Sequence, residues 1–313
     1  MNLSKRPTIG LALSGSGNRS SFYVGFLEKL SAAGIPVDYI SAMSGGSLVA
    51  GAYATGSLQE FKDKIFTINK ETIKQYVSKS HGGGLYSLEL LEQELNRMFK
   101  GMTFEEVSPK MAFVAADIET GEQVVLCVGD IARAACISCV LPGVFEPVLW
   151  GNRVLVDGGI LSQMPLNVVK SFGADIVIGV SVRGTKHIFS SNQMQLKKVL
   201  NAFKKFLFIG EIGSWLTALF QDDELEHDFS KKPNLFSVLG KSMDLAIKAN
   251  ASEKEMPEAD LIIKLNMSKI NRMVFNEESI KHYYELGLQT AEEYIPQIKE
   301  IIEQKEKIAE AVA

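Results

Sequence analysis

The sequence predicts an α/β fold of three layers, α/β/α, built on a mostly parallel central sheet and carrying a helical insertion. Three observations lead there. Thr8–Leu13 and Ala174–Val182 are continuous apolar runs, the pattern of parallel strands covered on both faces. Two early strands pass through small-residue turns into helical spacing: Ser14-Gly15-Ser16-Gly17 before Phe22, Gly25, Phe26 and Leu30, and Ser44-Gly45-Gly46 before Leu48-Val49-Ala50-Gly51-Ala52-Tyr53. Strands and helices then alternate along most of the chain, which is how a mostly parallel sheet is wound.

Composition sets the outer bounds. The 313 residues are 46% hydrophobic and 22% charged, the balance of a globular protein with a sizeable core. A formal charge of −4, spread along the chain, leaves no basic footprint for nucleic acid. Cys127, Cys136 and Cys139 cannot form a disulfide framework, and Cys136-x-x-Cys139 has no second pair to complete a zinc site. All three are expected to be buried core thiols of a reducing compartment. Met1–Pro7 leads into a Gly/Ser-rich segment instead of a secretory core, and no apolar run reaches the roughly eighteen residues a membrane span requires. The expectation is a cytoplasmic protein without cofactor or metal.

The first turn, at Gly15-Ser16-Gly17, offers backbone N–H groups to an anion, either a dinucleotide pyrophosphate or the oxyanion of an acyl-transfer intermediate. Asp38 keeps the nucleotide alternative open, but Ser20 occupies its third glycine position and Asp38 precedes the next strand. The second turn, Ala42-Met43-Ser44-Gly45-Gly46, has the form of a nucleophile elbow, in which small residues two places either side of a serine relieve crowding at a strained strand-to-helix bend. An ordinary turn with Ser44 as N-cap is the plain alternative.

Leu58–Lys100 reads as charged surface helices broken by His81-Gly82-Gly83-Gly84, with His81 solvated. Lys110–Asp117 and Glu122–Cys127 read as strands joined at Glu119-Thr120-Gly121, and Asp130 as the N-cap of a helix ending near Pro142-Gly143. Val144–Leu149 and Arg153–Val156 form an extended pair, followed by Asp157-Gly158-Gly159, an acid at a strand end or a plain Asx turn. A helix starts after Pro165. Residues 183–259 break the rhythm. There an apolar stripe through Leu196, Phe203 and Trp215, backed by lysines, suits either a packed helical hairpin or a lipid-facing element at 196–220. Ala259–Leu265 is a last strand, and Asn276 caps a C-terminal helix that Pro296 kinks or restarts. The expected division is a core at 1–182, the insertion at 183–259, and the last strand with C-terminal helices at 260–313.

Taken in order, the glycine loop, the elbow and the late Asp-Gly-Gly resemble the patatin-like phospholipase family, from Thr8 to about Val182 and again at Ala259-Asp260. Ala116–Gly121 and Ala135–Phe145 add to the likeness. Ala42 stands where the family has glycine in the elbow, and Ser16 and Ser20 interrupt the glycine-rich loop. The resemblance implies a serine lipid acyl hydrolase with a Ser44–Asp157 dyad and no catalytic histidine. The Gly15, Ser16 and Gly17 amides would form its oxyanion hole, with Asn18, Arg19, Gly46, Gly158 and Gly159 in support. His187, His227 and His282 fall outside the motifs. The implied partner is a phospholipid or other acyl-ester lipid, with peripheral membrane contact through 196–220. The alternatives are a non-catalytic lipid-binding scaffold of the same fold and a dinucleotide-binding module.

Overall fold

The computed structural model describes residues 6–69, 71–162, 164–182, 259–265 and 277–312. Its principal sheet has eight strands: β1 (Ile9–Leu13), β2 (Tyr39–Met43), β5 (Lys110–Asp117), β6 (Gln123–Leu126), β7 (Val148–Trp150), β8 (Arg153–Asp157), β9 (Ile176–Ser181) and β10 (Leu261–Lys264). The order is β10-β9-β1-β2-β5-β8-β7, with β6 also on β5. The run β10-β9-β1-β2-β5 is parallel, whereas β6, β7 and β8 pair antiparallel. A short hairpin of β3 (Ser78–Lys79) and β4 (Tyr86–Ser87) stands apart.

Strand alternation sorts the side chains into two layers. Ile9, Leu11 and Leu13 of β1, Ile40 and Ala42 of β2, and Phe113 and Ala115 of β5 face the main core. That core is shared with α1 (Ser21–Ala32), α2 (Gly45–Ala54), α5 (Ile131–Ser138) and α7 (Glu277–Val312). Ala12, Met43, Ala112, Val114 and Val177 point the other way, toward α6 (Leu166–Ser171). The three layers are therefore those the sequence predicts. Gly10 belongs to this logic, because a Cβ there would meet Val169 of α6 at 2.5 Å.

One expectation requires correction, at Cys127, and one of the two alternatives at Pro296 is removed. Cys127 is exposed beyond the end of β6, since the strand stops at Leu126 and the chain turns outward; Cys136 is buried and Cys139 half-buried. Pro296 does not restart the C-terminal helix, because α7 runs unbroken across it. Buried Ala291 and Ile298, on either side, hold α7 against the body and offset the roughly 3 kcal/mol an interior proline costs. The expectations for the insertion, its 196–220 stretch, His187, His227 and Asn276 lie outside the described residues. Among the described residues, no helix is long and apolar enough to cross a membrane.

Helix α7 crosses α1 at bare backbone. A Cβ on Gly25 would strike the Tyr284 carbonyl oxygen, and one on Gly287 would strike that of Phe22. Beside the crossing, the Tyr284 hydroxyl donates to Glu28 Oε2 at 2.7 Å, and Lys62 Nζ lies 2.8 Å from Glu28 Oε1. Two glycines thus bring the C-terminal helix into the core early in the chain.

Helices α3 (Leu58–Phe66) and α4 (Glu89–Met98) are linked by charge. Hydrogen bonds from Arg97 hold the Glu94 carboxyl down to about 2, with Lys64 Nζ at 2.8 Å assisting. The folded value lies below the unfolded one, so this stabilisation is complete above about pH 4.5 and is lost as the pH falls toward 2. Glu94→Gln is expected to lower Tm by about 1–3 °C at neutral pH, the range for a partly exposed pair. The gap between variant and wild type should close near pH 2, and a gap of unchanged size in acid scans would contradict this account.

Candidate active site

The elbow forms as the motif predicts. Ser44 follows β2 and precedes α2 with φ 52° and ψ −136°. Among the described residues it is one of two non-glycine positions with positive φ, the other being Lys100. An L-residue held there is strained by about 1–3 kcal/mol, so its surroundings must over-determine it. They do. The Ser44 N–H donates to Ser138 Oγ at 2.9 Å, and the Ser138 hydroxyl donates to the Val114 carbonyl of β5 at 2.7 Å. A Cβ at Gly46 would meet the Ser14 carbonyl oxygen at 2.9 Å, and one at Gly45 would collide with Ser16 Oγ. The two glycines admit the 14–17 loop against the start of α2. Ala42, which replaces glycine, is buried in the main core without displacing the elbow.

Asp157 arrives from the opposite direction. Phe113 and Val114 of β5 pair with β2 and with β6, whereas Ala115 and Ala116 pair with β6 and with β8. A strand has two edges, so β2 and β8 share the edge that β6 leaves open. Met43 lies opposite Val114 and Asp157 opposite Ala115. The C-terminal ends of β2 and β8 thus meet head-on at consecutive positions, one strand rise of about 3.3 Å apart along β5. Asp157 is 2% exposed and lies on the Ala115 face, toward α2 and α5. Its Oδ1 accepts the Gly159 N–H at 2.8 Å, and its own N–H donates to the Val140 carbonyl at 2.7 Å. Gly158 must be bare, because a Cβ there would lie 2.6 Å from the Val114 carbonyl oxygen that Ser138 also engages.

The 14–17 loop is fixed from behind. Tyr23 Oη donates to the Ser14 carbonyl at 2.9 Å, and the Arg19 guanidinium donates through Nη1 to the Val182 carbonyl at 2.9 Å. Arg19 therefore anchors the loop to the end of β9. Among the described residues, no hydrogen bond takes the N–H of Gly15, Ser16 or Gly17. The side chain of Asn18 lies outside the described residues.

An apolar cavity of about 200 Å³ opens at Ser44, Gly45 and Gly17. Its walls are Leu48 of α2, Phe61 and Ile65 of α3, Ile73, Tyr76 and Val77 of the following segment, Leu88 and Leu91 around α4, Leu141, Phe145 and Ile280 of α7. The segment 58–100, expected to be plain surface, builds much of this wall. Cys139 lines the cavity too; burial and then the nearby Asp157 charge push its thiol well up. The α2 N-terminus faces the same space, and its field favours negative charge. His81 is solvated as expected, with 83% of its side chain exposed. Asp38 pairs with Arg6 at 2.7 Å and accepts the Ile9 N–H, at the sheet edge opposite Ser44, so it is no ribose ligand beside the glycine loop. Ser138 and the 58–100 wall escaped sequence reading; Ser138 was legible only as part of the familial run Ala135–Phe145. Among the described residues, no cluster of His, Cys, Asp and Glu could hold a metal ion.

The chain is similar in sequence to several known proteins. An uncharacterized NTE family protein of Mycobacterium tuberculosis is 28% identical over 184 residues, covering 58% of this chain and 51% of that protein. Patatin-like phospholipase domain-containing protein 6 of Mus musculus is 24% identical over 189 residues, 56% of this chain and 13% of that protein. The chain thus spans about half the length of the mycobacterial relative and much less of the mouse one. Human GIVD cytosolic phospholipase A2, solved with a fluorophosphonate inhibitor, matches with a TM-score of 0.48 at 10% identity, over 96% of this chain and 60% of that one. A family model described as Patatin-like phospholipase matches residues 11–170, from β1 through the elbow and Asp157 into α6, and on that match the chain belongs to the patatin-like phospholipase family.

Proposed function

We propose that this protein is a serine lipid acyl hydrolase in which Ser44 is the nucleophile and Asp157 its base. The observation that supports it best is the head-on meeting of β2 and β8 on one edge of β5, which brings a buried carboxylate to the strand end beside a strained serine that lines an apolar cavity. In this reading the acyl chain enters the cavity and its ester carbonyl lies over Ser44. The Ser44 hydroxyl attacks the carbonyl carbon while Asp157 takes its proton. The Gly15, Ser16 and Gly17 amides hold the oxyanion, assisted by the α2 N-terminus. The C–O bond to the leaving alcohol then breaks, and Asp157 returns the proton to it. Water attacks the acyl-enzyme by the same steps and frees the fatty acid.

The test is intact mass after incubation with a fluorophosphonate. Wild type should gain one adduct and Ser44→Ala none, with the variant keeping the wild-type Tm. A folded wild type that gains no adduct in the presence of lipid would favour a non-catalytic lipid-binding protein of this fold.

A further inference from the structure

Ser16 has a feature its place in a glycine-rich loop does not require. Its side chain is 2% exposed, and its Oγ has no hydrogen-bond partner among the described residues. A buried hydroxyl without a partner is destabilising, and such groups in native proteins call for a reason. The hydroxyl packs directly on Gly45, the residue after Ser44, which is glycine because any Cβ would run into this oxygen. The N–H groups of its own loop, 15–17, are likewise without an acceptor among the described residues. The oxygen therefore sits behind Gly45, and Gly45 and Gly17 line the cavity beside Ser44. A glycine or alanine would fill this position at less cost to stability.

We propose that the Ser16 hydroxyl is itself an oxyanion donor, a side-chain hydrogen bond added to the backbone amides of the loop. This rests on the reading of Ser44 as nucleophile. When Ser44 attacks, the former carbonyl oxygen takes the negative charge, and the Ser16 side chain, turning about its Cα–Cβ bond so that the oxygen leaves its place behind Gly45, donates its O–H to it. No proton is transferred from Ser16; its bond forms with the tetrahedral intermediate and is released when the carbonyl is restored. The hydroxyl goes unsatisfied in the resting enzyme and finds its acceptor only as the reaction proceeds, so its stabilisation falls on the transition state and not on substrate binding.

The test compares wild type with Ser16→Ala and Ser16→Gly, both of which keep the amide and remove the hydroxyl. The measurements are the rate of fluorophosphonate adduct formation, kcat and KM on a short soluble p-nitrophenyl ester, and Tm. The expected result is a loss of about a hundredfold in kcat and in adduct rate with KM within about twofold of wild type. Tm of Ser16→Ala should be unchanged or about 2 °C higher, because an unpartnered buried hydroxyl has gone. Adduct formation and turnover within about twofold of wild type in both variants would overturn the proposal while leaving the Ser44 reading intact. So would a rate loss accompanied by lower Tm and raised KM in both variants, which is the mark of a packing role. A wild type that forms no adduct would instead bring down the nucleophile assignment on which the proposal stands.

Discussion

Asp157→Asn is expected to slow both turnover of a soluble ester and fluorophosphonate adduct formation by about a thousandfold, leaving KM and Tm close to wild type. The magnitude lies within the range a positioned general base contributes, about 10²–10⁴. Asparagine keeps the shape of the side chain. Asp157 Oδ1 accepts the Gly159 N–H, and the amide oxygen of asparagine can still accept it. The backbone bonds to Val140 and across to β5 do not involve the side chain. On the proposed mechanism, what disappears is the capacity to take the Ser44 proton. Stopped mass-spectrometric time courses on both proteins would check this, and an adduct rate within about threefold of wild type would remove Asp157 from the base role.

Gly287→Ala should be the most destabilising single methyl in the C-terminal helix, with a loss of about 3 kcal/mol and a fall in Tm of about 6–12 °C. The added Cβ meets the Phe22 carbonyl oxygen, part of the α1 backbone, which cannot swing aside as a side-chain tip can. Relief requires α1 and α7 to separate, and that loosens Phe22 and Phe26 at the centre of the core. Ile280 on α7 also walls the cavity, so hydrolysis of long-chain esters should fall more than that of short ones. Calorimetry on the variant checks the first effect; a Tm within about 1 °C of wild type would show that the crossing adjusts without strain.

The two ends of the candidate site were readable in the sequence because each is a local backbone requirement. Only small residues fit around Ser44, and only bare backbone fits after Asp157, so both needs are written as short glycine-marked strings. The parallel core strands were readable for a similar reason, since burial on both faces leaves an unbroken apolar run. What joins the endpoints was not readable. That β8 turns antiparallel and occupies the same edge of β5 as β2 is a matter of long-range register, and nothing in Arg153–Asp157 alone specifies its partner. The cavity was hidden for a different reason. Phe61, Ile65, Leu88 and Leu91 occur at spacings that show an apolar face, and such a face looks the same whether it meets core or empty space. Ser138 reads as one more small residue in a buried helix until its hydroxyl is seen between Ser44 and Val114. Cys127 was misread because an apolar neighbourhood in sequence does not reveal where a strand stops.

The shared edge of β5 works as a ruler with a fixed number of slots. Met43 fills one and Asp157 the next, so neither strand can grow by a residue at its inner end without evicting the other. The separation between serine and carboxylate is thus set by counting backbone units, independently of the side chains around them. Length variation is confined to the loops that feed the two strands, where residues can be gained or lost while the gap between the two groups stays constant.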